Sequence, residues 1–201
     1  MDGTLLRSSV AHDSEVYEIR FSPDGQQFAS AGADNTVKLW SRDGTLLHTF
    51  AGHTEPVWGV AFSPDGQTIA SSSIDSTIKL WSRDGRLLNT LQGHRSAVWG
   101  VTFSPDGQTI ASASGDGTVK LWHREGRLLK TLKGTKGMAM YVTFSPNGQW
   151  LANIAHPALN VKVELKPLLV SLFSAFLLPL GCIDMRSQLC KNLAHTALNA
   201  P

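Results

Sequence analysis

The sequence predicts an all-β protein built from copies of one four-stranded antiparallel sheet. Trp40, Trp81 and Trp122 are each separated from the next by 41 residues. A second signal, the run Phe-Ser-Pro-Asp-Gly-Gln, recurs with the same step and starts at Phe21, Phe62 and Phe103, with a near copy at Phe144. Self-similarity at this period is typical of stacked supersecondary units, none of which buries its apolar face alone.

Residues 52–91 illustrate the predicted unit. Aromatic and β-branched residues in an apolar stretch indicate a buried first strand. Pro64-Asp65-Gly66 predicts a tight turn, and Asp84-Gly85 predicts a two-residue hairpin, because these residue types favour the required backbone angles. The four predicted strands are Val57–Phe62, Gln67–Ser73, Thr77–Trp81 and Arg86–Leu91.

The unit resembles the repeat of WD40 β-propellers. Gly52-His53, Asp75 and Trp81 follow the family's Gly-His…Trp-Asp pattern, although Ser82 replaces the terminal Asp. The resemblance covers about residues 2–153 and implies that each sheet is a propeller blade. In that family a His, a Ser or Thr, an Asp and the Trp form a buried hydrogen-bonded tetrad in every blade. The matching sets here are His12, Ser30, Asp34 and Trp40; His53, Ser71, Asp75 and Trp81; and His94, Ser112, Asp116 and Trp122.

The same sets contain the residue types of a hydrolase triad, and His53, Ser71 and Asp75 are the example to test. A catalytic serine needs solvent access and an oxyanion hole, and one copy suffices. Three copies tied to a Trp donor therefore favour a structural network over catalysis. We expect no metal or other cofactor, because the three histidines fall in separate blades and no HxH or HExxH spacing occurs.

In WD40 proteins the top face, around the mouth of the central channel, recruits partners. Its contact positions lie three and five residues after the repeat His and just before the repeat Asp. They correspond here to Glu15, Pro56 and Ala97; to Tyr17, Trp58 and Trp99; and to Ala33, Ile74 and Gly115. An exposed aromatic arc is typical of interface hot spots, and the alternative is that both tryptophans pack between blades. The arc favours an apolar or aromatic-seeking peptide.

The composition excludes several classes of function. The formal net charge of +2 is too small to indicate nucleic acid or an anionic membrane as partner. Arg42, Arg83 and Arg124 each precede an acidic residue and are expected to form a fringe of local ion pairs. The repeats contain no cysteine, and no apolar signal segment opens the chain, which together favour a cytoplasmic location.

The repeat divides the chain into segments. Residues 1–11 match the end of a repeat and are expected to form the outer strand of a preceding or closing blade. The other predicted segments are repeats 12–52, 53–93 and 94–134, a degenerate repeat 135–155 and a non-repeat tail 156–201. In the fourth copy Thr135, Asn153, Pro157 and Val163 stand where the tetrad residues are expected.

The tail contains an apolar run, Leu168–Leu180, that matches no repeat. Its length falls short of the ~20 residues of a membrane helix, so we do not expect it to span a membrane. An interfacial anchor and a helix capping the last blade are alternatives. A change of reading frame or a truncated gene is the simplest explanation.

Three and a half repeats predict an incomplete propeller, either an open fragment or half of a ring that two chains complete. The expected function is a non-catalytic protein-interaction scaffold or regulatory module. The alternatives are a membrane-tethered or larger-assembly sensor module and a truncated gene fragment without independent function.

Overall fold

The computed structural model describes residues 8, 10–133, 137–156 and 162–167, and the backbone alone at 155, 156 and 162–166. These residues form β-strands, turns and loops, and the predicted all-β class is confirmed. The chain divides into two compact units, Met1–Leu169 and Val170–Pro201, and the second unit lies outside the described residues. The strands are β1 Val16–Phe21, β2 Gln27–Gly32, β3 Thr36–Ser41, β4 Leu46–Ala51, β5 Val57–Phe62, β6 Thr68–Ser73, β7 Ile78–Ser82, β8 Leu87–Leu91, β9 Val98–Phe103, β10 Thr109–Ser114, β11 Thr118–His123, β12 Leu128–Lys133, β13 Met138–Phe144, β14 Trp150–His156 and β15 Lys162–Pro167.

The strands form successive antiparallel meanders. Three sheets have four strands in chain order, β1 to β4, β5 to β8 and β9 to β12, and β13 to β15 form a three-stranded sheet. The register repeats as well, since Ser71 pairs with Lys79 in the second sheet and Ser112 pairs with Lys120 in the third. The turn after β5 uses Gly66 at φ 68°, a left-handed conformation in which glycine carries no Cβ penalty.

Neighbouring sheets pack face to face around a common set of inner strands. Contacts join β1 with β5, β5 with β9 and β9 with β13. We call the side that carries the repeat Trp the leading face of a sheet, and the opposite side the trailing face. Each leading face packs on the trailing face of the preceding sheet: Trp81 and Val60 of the second sheet join Ala29, Leu39 and Phe50 of the first in one core.

Arginines cross these sheet junctions. Arg83 Nη2 lies 3.1 Å from Asp24 Oδ2 of the preceding sheet, and Arg124 Nη2 lies 3.6 Å from Asp65 Oδ2. The expectation of ion pairs with the following acid is wrong for these two arginines, because the junction brings the turn of the preceding sheet within their reach.

The fourth sheet extends further along the chain than the sequence indicates. Strand β15 lies inside the segment expected to be a non-repeat tail, and it pairs with β14 along its length. Lys166 lies opposite Leu151, the register position that Trp122 occupies opposite Ile110 in the third sheet. Lys166, not Val163, therefore takes the Trp position, because Lys166 follows its partner Leu151 by 15 residues, whereas Trp122 follows Ile110 by 12.

Several sequence expectations fall on residues outside the described part. They concern residues 1–7, Thr135, Pro157 and the apolar run Leu168–Leu180. Within the described segments, no helix is long and apolar enough to cross a bilayer.

Candidate partner-binding face

Each of the first three sheets holds one of the predicted sets of four side chains in mutual hydrogen bonds. In the second sheet, His53 Nδ1 lies 2.7 Å from Asp75 Oδ2 and His53 Nε2 lies 2.8 Å from Ser71 Oγ, while Trp81 Nε1 donates to the same hydroxyl at 2.8 Å. Because the carboxylate only accepts, Nδ1 carries the proton and the serine hydroxyl donates to Nε2. The first and third sheets repeat this geometry through His12, Ser30, Asp34 and Trp40 and through His94, Ser112, Asp116 and Trp122.

The serines of these sets are fully buried. Ser30, Ser71 and Ser112 have no exposed surface, and each hydroxyl is engaged by both the Trp and the His of its own sheet. This arrangement joins the loop before the first strand to the second and third strands. It is the arrangement of a structural network, because a nucleophile needs a path to substrate.

A fifth residue, a threonine, belongs to each network, and sequence reasoning missed it. Thr36 Oγ1 donates to Asp34 Oδ1 at 2.7 Å, and Thr77 and Thr118 do the same for Asp75 and Asp116. The recurrence of a threonine two residues after each repeat Asp was the available signal.

The aspartates of the networks are held ionised. Burial alone raises the pKa of Asp34, but hydrogen bonds from Thr36 and His12 outweigh it and lower that pKa to about 2. The pKa of Asp116 is also lowered to about 2, because hydrogen bonds from Thr118, the Arg95 backbone and His94 outweigh its burial. The pKa of Asp75 is lowered for the same kind of reason. For His94, burial lowers the pKa, and the bond to Asp116 only partly opposes it.

The top face is the end of the sheets at which β1, β5 and β9 begin. There the loop after each repeat His meets the turn before each repeat Asp through one recurring backbone hydrogen bond. The N–H groups of Ala33, Ile74 and Gly115 donate to the carbonyl groups of Glu15, Pro56 and Ala97 at 2.8, 3.1 and 2.9 Å. In each sheet, the structure thus brings together two predicted contact positions: the one three residues after the repeat His and the one just before the repeat Asp.

Tyr17, Trp58 and Trp99 form a continuous aromatic ladder across the three sheets. The rings of Tyr17 and Trp58 are stacked with centroids 4.1 Å apart, and Trp58 meets Trp99 edge to face at 4.9 Å. Tyr17 is 37% exposed, whereas both tryptophans are half-buried. The tryptophans therefore pack between sheets, and Tyr17 is the residue of the ladder that faces solvent.

The indole N–H groups of Trp58 and Trp99 are buried and have no hydrogen-bond partner among the described residues. Trp99 Nε1 lies against Gly115, where an added Cβ would come within 3.2 Å of it. Buried unpaired donors are uncommon in folded proteins. Their lack of a partner is therefore an unusual feature of this face.

The loops of the top face carry more exposed acids than bases. Asp13, Glu15 and Glu55 are exposed there, together with Arg95. The pKa of Glu15 is lowered by a hydrogen bond from the Ser14 hydroxyl, so the carboxylate is charged at neutral pH. In the described part of the chain, no group of three His, Cys, Asp or Glu residues is arranged to hold a metal ion.

Comparison with known proteins matches the sequence family described as WD domain, G-beta repeat (WD40) at residues 3–41, 44–82 and 85–123. These spans make up more than half of the chain. Each of the latter two runs from the outermost strand of one sheet to the third strand of the next, so the family unit is staggered relative to the sheets.

Two known proteins are similar to parts of this chain. Mouse WD repeat-containing protein 3 is 45% identical over 38 residues, which are 19% of this chain and 4% of that protein. A solved structure described as "Structure of U3-55K" superposes with a TM-score of 0.70 at 26% identity, covering 77% of this chain and 50% of that one. This chain thus spans about half of the solved structure and a small part of the mouse protein. It belongs to the WD40 repeat family, and its sheets are blades of a WD40-type β-propeller.

Proposed function

We propose that the chain is a non-catalytic protein-interaction module that binds a peptide or protein on its top face. Membership of the WD40 family supports an interaction module in general. The observation that carries the specific proposal is the aromatic ladder, which presents Tyr17 to solvent above two half-buried tryptophans.

The ladder has the features of a binding hot spot. Aromatic side chains contribute large contact area at low conformational cost, and hot spots are enriched in Trp and Tyr. Because Trp58 and Trp99 are fixed by ring contacts across blades, little side-chain entropy remains to be lost when a partner packs on Tyr17.

The surrounding groups indicate the chemistry of the partner. The ladder offers an apolar surface, and the nearby loops offer the carboxylates of Asp13, Glu15 and Glu55. We expect a peptide that places an apolar or aromatic anchor on Tyr17 and carries neutral or basic neighbours, since like charges across an interface are unfavourable.

Selection from a displayed peptide library tests this proposal. Peptides selected on the wild-type chain should lose at least about tenfold in affinity for Tyr17→Ala, because truncating a central aromatic contact typically costs more than ~1.4 kcal/mol. Tyr141→Ala is the matched control, since Tyr141 is an exposed tyrosine of the fourth sheet. Equal binding by wild type and Tyr17→Ala contradicts the proposed site, and an enriched acidic consensus contradicts the proposed partner chemistry.

Burial of the tetrad serines supports the absence of catalysis. Labelling by a serine-directed fluorophosphonate addresses it directly. We expect no labelling of the folded chain, whereas labelling that Ser71→Ala removes would revive the hydrolase hypothesis.

A further inference from the structure

Among the described residues, no sheet covers the leading face of the first sheet, whereas a preceding sheet covers each of the other leading faces. Phe21 is 65% exposed, whereas Phe103, the same position in the third sheet, is 8% exposed. Ile19 is 52% exposed, whereas Val60 of the second sheet is fully buried. Trp40 of the same face is only 5% exposed, so the exposed apolar surface lies on the inner strand β1, at positions that are more deeply buried at the other junctions.

The chain itself shows what covers such a surface. At the second sheet, Val60, Ile69 and Trp81 pack on Ala29, Val37 and Leu39 from the trailing face of the preceding sheet. The junctions before the third and fourth sheets are built in the same way, again with alanines and branched aliphatic residues on the trailing side. A trailing face of this repeat is thus the complement of a leading face.

A matching trailing face lies at the other end of the described sheets. Ala152 and Ile154 stand at the positions of Ala111 and Ala113, and they are only partly buried. The register of β15 places Val163 and Leu165 opposite these two residues, as Val119 and Leu121 stand opposite their counterparts in the third sheet. Within the described residues, no further sheet packs on this surface.

The two uncovered faces border one cleft of about 640 Å³. Arg20 and Phe21 of the first sheet and Ala152 and Ile154 of the fourth are among its lining residues. The other lining residues belong mainly to the inner strands β5, β9 and β13. The exposure of Phe21 and the partial burial of Ala152 and Ile154 mean that the two faces of one chain do not cover each other.

Arg42 indicates how a sheet that covers the leading face of the first sheet is aligned. Arg42 occupies the position of Arg83 and Arg124, which reach the turn of the preceding sheet, but its exposed guanidinium has no partner among the described residues. The corresponding turn of the fourth sheet carries Asn147 where the earlier turns carry Asp. A second chain docked in the repeat geometry brings Asn147 to Arg42.

We infer that the leading face of the first blade binds the trailing face of the fourth blade of a second copy of this chain, head to tail. The aligned part of this chain covers 50% of U3-55K, so two copies supply the length of one such chain. The contact is heterologous, and it closes into a ring or continues as an open series according to the turn of each blade. This surface is separate from the aromatic ladder of the top face.

Light scattering coupled to size exclusion, over a wide range of protein concentration, tests the inference. The wild-type chain should exceed the mass of a single chain as concentration rises. Phe21→Glu should raise the dissociation constant at least about tenfold, because it places a charge in a contact that buries a large apolar side chain. Leu128→Glu on the outer strand β12 is the control, since Leu128 is similarly exposed but lies away from both faces.

Mixing two variants tests the head-to-tail arrangement. Phe21→Glu disrupts the leading face and Ile154→Glu disrupts the trailing face, so each variant alone should associate at least about tenfold more weakly than wild type, while their mixture should form a one-to-one pair. Asn147→Asp should tighten association about twofold to fivefold through an ion pair with Arg42, and Arg42→Ala should abolish that gain. Thermal melting of each variant checks that it is folded.

A wild-type chain that stays single at every concentration overturns the inference, as does equal association of Phe21→Glu and wild type. The inference is also overturned if the chain stays single and binds a different protein through Phe21. The leading face would then be the binding site of that protein.

Discussion

The ring of Tyr17 lies flat on the indole of Trp58, with the ring centroids 4.1 Å apart and an angle of 6° between the planes. Tyr17 belongs to β1 and Trp58 to β5, so this stack joins two blades at the top face. The same two residues occupy one repeat position. A position selected as a partner contact therefore also contributes to the junction between blades.

Tyr17→Ala should lower the free energy of unfolding and expose Trp58. An aromatic pair contributes about 0.5–1.5 kcal/mol beyond the area it buries, so a loss of that order is expected in urea denaturation. Tryptophan fluorescence should shift to longer wavelength at the same time. Tyr17→Phe keeps the stack and should leave both measurements close to wild type, whereas equal effects of Ala and Phe would contradict the stacking role.

Much of the fold could be predicted from the sequence because the same turn residues and strand patterns occur in each copy of the repeat. Turn residues such as Pro64 and Gly66 and the alternation in Thr77–Trp81 recur in register, and each copy reinforces the others. The tetrad residues were found by resemblance to the family, and Thr77 was missed because that resemblance pointed only to four positions, although a threonine recurs two residues after each repeat Asp.

The junction contacts and the fourth sheet were harder to predict. Arg83 pairs with Asp24 and not with Asp84, which depends on how one sheet packs on the next. Strand β15 escaped prediction because a longer loop shifts its Val-x-Leu pattern relative to the repeat step. The fixed 41-residue spacing therefore places the end of the fourth repeat before β15, although β15 pairs with β14 in the usual register.

Ser71→Ala should destabilise the fold strongly for so small a change. The hydroxyl accepts from Trp81 Nε1 and donates to His53 Nε2, and both partners are buried. Each orphaned polar group costs ~1–3 kcal/mol, so we expect the free energy of unfolding to fall by at least ~2 kcal/mol. Ser14→Ala, at an exposed serine, should change it by less than about 0.5 kcal/mol. Similar effects of the two variants would argue against the network.

Stability should decrease as the pH falls below 6.5, the ordinary pKa of histidine. Burial lowers the pKa of His94 in the folded chain, despite the opposing effect of Asp116. The unfolded chain therefore takes up a proton first, and acidification favours it. Urea denaturation between about pH 8 and about pH 5 should show the free energy of unfolding falling on the acid side. A constant value across this range contradicts the burial of a neutral His94.

A second loss of stability is expected in stronger acid. The folded-state pKa values of Asp34 and Asp116 are about 2, below the ordinary value of 3.8. Stability from these carboxylates is fully present above pH 3.8 and is lost as the pH falls towards 2, because the unfolded chain is protonated first. Asp34→Asn should reduce this acid dependence, and Asp13→Asn, at the exposed acid that follows His12, is the control. An unchanged acid limb in Asp34→Asn would contradict the assignment.

Gly115→Ala should disturb the top face while preserving the fold. Its Cβ would lie 2.9 Å from Ser96 Oγ and 3.2 Å from Trp99 Nε1, so the indole must shift by a few tenths of an ångström. Overpacking of this kind lowers the free energy of unfolding by ~1–3 kcal/mol. We expect a loss at the lower end of this range, because the Ser96 hydroxyl can rotate away from the added Cβ. Tryptophan fluorescence and affinity for peptides selected on the wild type should both change. Ala97→Gly in the same blade is the control, and unaltered fluorescence in Gly115→Ala would contradict the contact.

Asn153→Leu should stabilise the fourth blade. Asn153 takes the position of Ser112, yet it is 2% exposed and neither amide atom has a partner among the described residues. A buried amide without hydrogen bonds costs ~1–3 kcal/mol, and leucine has a similar shape without that cost. The free energy of unfolding should therefore rise by about that amount. Ser112→Ala is the matched comparison, because it removes a satisfied hydroxyl at the same repeat position and should have the opposite sign. A loss of stability in Asn153→Leu would mean that the amide is hydrogen-bonded in solution.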